Sequence, residues 1–215
     1  LKQLRHSRPG KEEIFDTPIA RVESAVETLR SMEGTLEDQW NSLMGVEGNA
    51  GREYFSCLAR IMPDNFRFEG RSRRPAKDPF NAALNYGYGI LYGLVEKACL
   101  IAGLDPYLGF LHTDNYNKKS LVFDFIEPFR TWIDEPVVYL FTGRKMSAEF
   151  FDSQQAAVTL NDKGKPVVIT AVNEFLDTAI RHAGRNLLRR AVLQLEAHAV
   201  AQAILKQEDL KNVNR

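Results

Sequence analysis

NYGYGILYGLVEKACLIAGLDPYLGFLHTDNYNKKSLVFDFIEPFR, residues 85–130, is the stretch around which the chain is organised. Its first half continues a run from Phe80 to Ala102 that is apolar on most sides and free of proline, which predicts a long helix buried in a bundle. Asn85, Glu96 and Lys97 interrupt the apolar run, so it is not a membrane span. Gly87, Gly89 and Gly93 lie inside it. Each costs about 1 kcal/mol against alanine in a helix interior, so packing or function has to offset roughly 3 kcal/mol. Helical spacing puts Asn85, Gly89, Gly93 and Glu96 on one stripe, a side-chain-poor channel with a carboxylate at its end.

The helix is expected to stop at Ala102–Gly103, with Gly103 as its cap and Pro106 just beyond. Leu108–Gly109–Phe110–Leu111 then delivers His112, and a polar loop runs from Thr113 to Lys119. Ser120 is placed to cap a second helix reaching about Trp132. On it Asp124 and Glu127 are three apart and share a face, among Leu121, Val122, Phe125, Ile126 and Phe129. The candidate constellation is Glu96 on one helix, His112 on the loop, and Asp124 with Glu127 on the next helix.

The segments YGYGILYGLVEKA, AGLDPYLGFLHTD and SLVFDFIEPFR resemble the signature segments of the CRISPR-associated integrase/endonuclease of spacer acquisition, the family numbered one. LMGVEGNAGREYF (Leu43–Phe55) and DPFNAALNYGY (Asp78–Tyr88) extend the likeness over most of residues 40–145, in order and with matched spacing. The resemblance implies a metal site of Glu96, His112 and Glu127, with Asp124 as a nearby fourth acid. It also implies a helical catalytic domain, a DNA substrate, and insertion of spacer DNA into the repeat array by 3′-hydroxyl transesterification. A small ferredoxin-like partner protein of CRISPR adaptation and a prokaryotic cytoplasmic location come with it. One imidazole and two or three carboxylates form an oxygen-rich set that favours Mn²⁺ or Mg²⁺ over zinc.

The 215 residues allow one large domain or two small ones, and 44% hydrophobic with 26% charged residues fits a folded globular chain. Net charge is zero, so any DNA binding has to come from local patches. Cys57 and Cys99 lie in apolar helical contexts without CxxC spacing, as buried thiols in a reducing compartment do. The chain opens on Leu1, and the run of strands that would make the family's N-terminal β-rich domain is not visible. The expectation is therefore a fragment carrying the catalytic domain. Since the family pairs into homodimers largely through the β-rich part, this chain is expected to dimerise poorly.

The fold class expected is all-α, a helical bundle over residues 1–215 with one short β-hairpin. Residues 1–15 read as a linker or start-of-domain segment and 207–215 as a frayed tail. Asp16–Thr17–Pro18 resembles a helix start, followed by short helical runs that Gly45, Gly48 and Gly51 punctuate before a helix from Arg52 to about Met62. Residues 157–170 give the best hairpin: AVTL, a turn at Asn161–Gly164, then PVVIT. Residues 171–206 read as a long helix interrupted near Gly184.

Two basic features are candidate DNA contacts. The loop FRFEGRSRRPAKDP holds Arg67, Arg71, Arg73, Arg74 and Lys77, with Phe66 and Phe68 interleaved. Arg181, Arg185 and Arg189 lie four apart and read as one helix face. Charge runs of this kind are as readily solvated surface as phosphate ligands. The alternative to a metal-dependent nuclease/integrase is a non-catalytic helical DNA- or protein-binding module derived from the same family. No residue run forms a Walker-type or GxGxxG phosphate loop.

Overall fold

The computed structural model describes residues 1–110 and 118–213. Eight helices among them are α1 (Lys2–His6), α2 (Glu13–Arg30), α3 (Leu36–Ile61), α4 (Pro79–Ile101), α5 (Ser120–Ile126), α6 (Thr131–Thr142), α7 (Gly164–Leu176) and α8 (Arg189–Val213). Two antiparallel hairpins join them, β1 (Phe151–Gln154) with β2 (Ala157–Leu160), and β3 (Ala179–His182) with β4 (Arg185–Leu188). No helix of the described residues is long and apolar enough to cross a membrane.

The central helix is the one the sequence announces. Asp78 caps α4 by accepting from the Asn81 amide at 2.8 Å, and Pro79 fills the first turn, where no amide is needed. At the far end the Gly103 amide bonds Leu100 O and the Leu104 amide bonds Cys99 O, the paired closure of a Schellman cap. Leu84, Leu91, Val95 and Cys99 are fully buried where α4 packs against α5, α6, α7 and α8. Gly87 allows close approach to α6, since a Cβ there would lie 2.5 Å from Ile133 Cγ2. Gly89 and Gly93 face open space, so they lay bare one side of the helix and contribute no packing.

A 3-10 turn, Glu127–Phe129, links α5 to α6, and the junction residues Ile126 and Arg130 keep right-handed helical angles. The run from Ser120 to Thr142 is thus nearly continuous and antiparallel to α4. Tyr92 meets Phe123, Tyr88 meets Arg130, and Gly87 meets Ile133. The α3 helix meets α6 through Tyr54, whose hydroxyl donates to Asp134, and Arg8 donates to Thr142 at the α6 end.

Several local expectations are corrected. Gly45, Gly48 and Gly51 do not break α3, which passes through all of them as one helix. The α2 helix begins at Glu13, and Pro18 lies within it. The hairpin is displaced by one strand: AVTL pairs backwards with Phe151–Gln154, while PVVIT belongs to α7. Asn161 accepts from the Lys163 and Gly164 amides and so starts a helix where a hairpin turn was expected. Residues 179–188 form a second hairpin in place of continuous helix.

Candidate metal and nucleic-acid site

Asp124 and Glu127 stand where α5 passes into the 3-10 turn. Asp124 is buried and accepts from the Phe110 amide at 2.6 Å, which ties Phe110, two residues before His112 in sequence, onto α5. Gly109 makes the approach possible, because a Cβ there would sit 2.7 Å from Ser120 Cβ and 2.9 Å from Asp124 Oδ2. His112 itself lies outside the described residues. Glu127 is half-buried and pairs with Arg130 at 2.8 Å.

Glu96 is held elsewhere. Its carboxylate pairs with Lys119 at 2.6 Å, just before α5, whereas Glu127 pairs with Arg130, just after the 3-10 turn. Eleven residues separate Lys119 from Arg130 in sequence. Glu127 itself is eight residues beyond Lys119, about 12 Å along a helix. Among the described residues no three His, Cys, Asp or Glu side chains converge, His112 lying outside them.

Sequence reasoning passed over another carboxylate, Glu47. Tyr54 donates to Asp134 and so ties α3 to α6. Glu47 lies seven residues before Tyr54, about 10 Å back along α3. Glu47 is exposed on the Tyr54 side of α3 and makes no ion pair among the described residues. The signal was present in LMGVEGNAGREYF: Glu47 and Tyr54 are two turns apart and share a face. By the antiparallel register, the bare side of α4 at Gly89 and Gly93 lies level with Glu127 and Asp124. Lys118 and Lys119 add unforeseen cations at the start of α5, Lys118 over the Phe123 ring.

Beneath the carboxylates lies a buried polar cluster. Asp134 accepts from Tyr88 Oη at 2.5 Å and from Tyr54 Oη at 2.9 Å. Burial pushes the Asp134 carboxyl up, and the two phenols, then Arg130 and Arg71, pull it back only in part. Both phenols are held well above the usual range, first by burial and then by the Asp134 charge, so they remain donors. Arg71 and Arg130 both lie over the Tyr88 ring, at 5.4 and 5.5 Å. Burial alone would lower Arg130, but Glu127, Tyr92 and Tyr88 more than offset it.

The basic features divide on inspection. Arg71 is not a free phosphate ligand: it donates to Asn81 Oδ1 at 2.8 Å, Asn85 Oδ1 at 2.5 Å and Ser72 O, and so pins the 70–77 loop to α4. Phe66 and Phe68 are core residues and do not offer faces to bases. Arg67 pairs with Asp64. Arg73, Arg74 and Lys77 are exposed, immediately before α4. The expected arginine face does not exist, because Arg181 and Arg185 occupy different strands. In that register Arg181 opposes Asn186 and His182 opposes Arg185, so the two arginines point to opposite sides. Arg189 opens α8, lies 4.1 Å over Phe175 and bonds Thr178, which joins α7 to α8.

The fold is a helical bundle that carries an acid pair at the end of α5, an exposed carboxylate on α3 and an exposed basic loop before α4. A family model described as CRISPR associated protein Cas1 matches residues 1–174, and the chain belongs to that family. A CRISPR-associated endonuclease Cas1 of Archaeoglobus fulgidus is 33% identical over 215 residues, covering 96% of this chain and 62% of that protein. One from Thermus thermophilus is 36% identical over 167 residues, covering 76% and 50%. The chain thus spans about half to three-fifths of the length of these relatives. A solved Cas1 protein from Thermotoga maritima superposes with TM-score 0.68 at 26% identity, covering 90% of this chain and 64% of the other. A casposase bound to integration product shares the fold, with TM-score 0.74 at 23% identity over 90% of this chain and 61% of the other.

Proposed function

We propose that the chain is the catalytic part of a metal-dependent DNA endonuclease/integrase of CRISPR adaptation, joining a 3′-hydroxyl to a phosphodiester by transesterification. The observation that carries this reading is that, in a chain of the Cas1 family, Asp124 and Glu127 lie beside the bare side of α4, with Glu47 on the helix that Tyr54 ties to Asp134. The donor set fits a hard divalent ion. Glu127 and Glu47 would supply oxygens and His112 the imidazole, and Asp124, which holds Phe110, would add a further oxygen. Glu96, the ligand expected from the resemblance, is committed to Lys119 and becomes the weaker candidate.

When bound, Mn²⁺ or Mg²⁺ supplies Lewis-acid polarisation of the scissile phosphate. The chain's own residues do the rest. Asp124, through the Phe110 amide, orients the loop that leads to His112. Glu127 is oriented by Arg130. Arg73, Arg74 and Lys77 neutralise backbone phosphates beside the groove, and the bare face at Gly89 and Gly93 leaves room for the strand. The partners proposed are branched or spacer-precursor DNA and the repeat, with the small ferredoxin-like protein of adaptation. A casposase bound to integration product and a Cas6-RT-Cas1–Cas2 complex among the structural neighbours are in keeping with both.

The test is strand transfer and cleavage on branched DNA with Mn²⁺ and with EDTA, for wild type, Glu127→Gln, Glu47→Gln and Glu96→Gln. Loss in the first two variants and retention in the third is expected. Metal-independent activity, or wild-type activity in Glu127→Gln, would overturn the reading.

A further inference from the structure

Asp134 is a buried carboxylate in a core otherwise built of Ile133, Val137, Val138 and Phe141. Its two oxygens are taken by tyrosines from two different helices, Tyr54 of α3 and Tyr88 of α4. A buried charge stabilises a fold less than a well-packed apolar side chain of similar size, so its presence calls for a role in specifying geometry. What the cluster touches indicates the role. The ring of Tyr88, anchored through its hydroxyl, carries the guanidinium of Arg130, which holds Glu127, and that of Arg71, which holds the 70–77 loop. Tyr54, the other donor, lies two turns below Glu47 on α3.

We propose that Asp134 is a positioning residue: by fixing the two phenols it sets Glu47, Glu127 and the Arg73–Arg74 loop relative to one another, so that metal site and phosphate-binding loop form one unit. Tyr54 fixes the axial rotation of α3 and with it the direction of Glu47. Tyr88 fixes the shared platform of Arg71 and Arg130, and with it both the loop and the Glu127 carboxylate. No other buried group among the described residues joins α3, α4 and α6 through polar contacts. The chain of contacts is short, from Asp134 to Tyr88, from Tyr88 to Arg130 and from Arg130 to Glu127, each step a named bond or ring contact. This rests on reading Glu127 as a metal ligand.

The experiment is titration of the folded chain with Mn²⁺ alone, followed by heat or by the electron paramagnetic resonance signal of free ion. Duplex DNA binding across a salt series is measured alongside, without metal. Asp134→Asn, Tyr88→Phe, Tyr54→Phe and Glu127→Gln are compared with wild type. Groups that orient metal ligands typically change affinity by about 10–100-fold. Asp134→Asn is therefore expected to weaken Mn²⁺ binding at least tenfold and to flatten the salt dependence of DNA binding, while still melting cooperatively. Tyr88→Phe should reproduce both losses in smaller measure, and Tyr54→Phe the metal loss alone. If Asp134→Asn does not fold, the two phenylalanine variants decide, since each removes one oxygen and keeps its ring. Lower thermal stability with unchanged Mn²⁺ affinity and salt slope in the folded variants would reduce the cluster to a structural role and overturn the proposal. Wild-type Mn²⁺ affinity in Glu127→Gln would remove the metal reading, and the proposal with it. A weakened Glu127→Gln beside unchanged Asp134 and Tyr88 variants would sink the proposal alone.

Discussion

Replacing Arg71 with alanine separates a structural arginine from a DNA-binding one. Its guanidinium makes three hydrogen bonds, to Asn81 Oδ1, Asn85 Oδ1 and Ser72 O. Hydrogen bonds to a charged group contribute about 1.5–3 kcal/mol each. The loop is half-exposed and water recovers part of the loss, so a net cost of roughly 3 kcal/mol is expected. Asn81 still accepts from the Ser72 amide and donates to Gly70 O, and Asn85 still donates to Arg73 O, so the loop stays attached. For a chain of this size each kcal/mol moves the melting temperature by about 2–4 °C, which predicts a fall of roughly 6–12 °C. The assay is thermal unfolding followed by circular dichroism, with Arg73→Ala/Arg74→Ala as the comparison. That double variant removes two exposed cations, so its melting should match wild type while the slope of log K against log salt flattens by about two. An Arg71→Ala protein melting within about 2 °C of wild type would refute the anchoring role.

Three further outcomes follow from local geometry. Gly109→Ala should lower strand transfer more than stability, because a Cβ there meets Ser120 and the Asp124 carboxylate and pushes Phe110 off α5; activity and melting measured together check it. The Cys99 thiol is pushed up to about 11, first by burial and then by the Glu96 charge. At pH 8 only about one thiol in a thousand is ionised, so iodoacetamide labelling of folded protein should be slow and climb roughly tenfold per pH unit. Glu96→Gln removes a part-exposed ion pair with Lys119 and should cost at most about 1 kcal/mol in urea unfolding.

The parts legible in the sequence are those written in local chemistry. Asp78–Pro79 and Gly103 mark the ends of α4, and the pattern between them fixes its buried side. The Asp124–Glu127 face was visible for the same reason. The hairpins were not, because their two-residue turns, Gln155–Ala156 and Ala183–Gly184, take positive φ at three non-glycine positions. No asparagine–glycine pair advertises them. Val167, Val168 and Ile169 suggest a strand, yet Val168, Val172 and Leu176 are the buried stripe of a helix that tertiary packing selects. Arg71 and Arg189 were misread because a charge run does not reveal which cations have acceptors at home. Glu47 was passed over for a related reason: a carboxylate at the end of a glycine stripe looks like a site, while the bond from Tyr54 to Asp134 that ties α3 to α6 appears only in the fold.

The most direct measurement is anomalous scattering from crystals of this chain soaked in Mn²⁺. A peak at roughly 2.0–2.3 Å from Glu127 and Glu47 carboxylate oxygens, with the His112 imidazole on the same ion, is predicted. A peak bound by Glu96 in place of Lys119, or no peak near Glu127 at saturating Mn²⁺, would contradict the account.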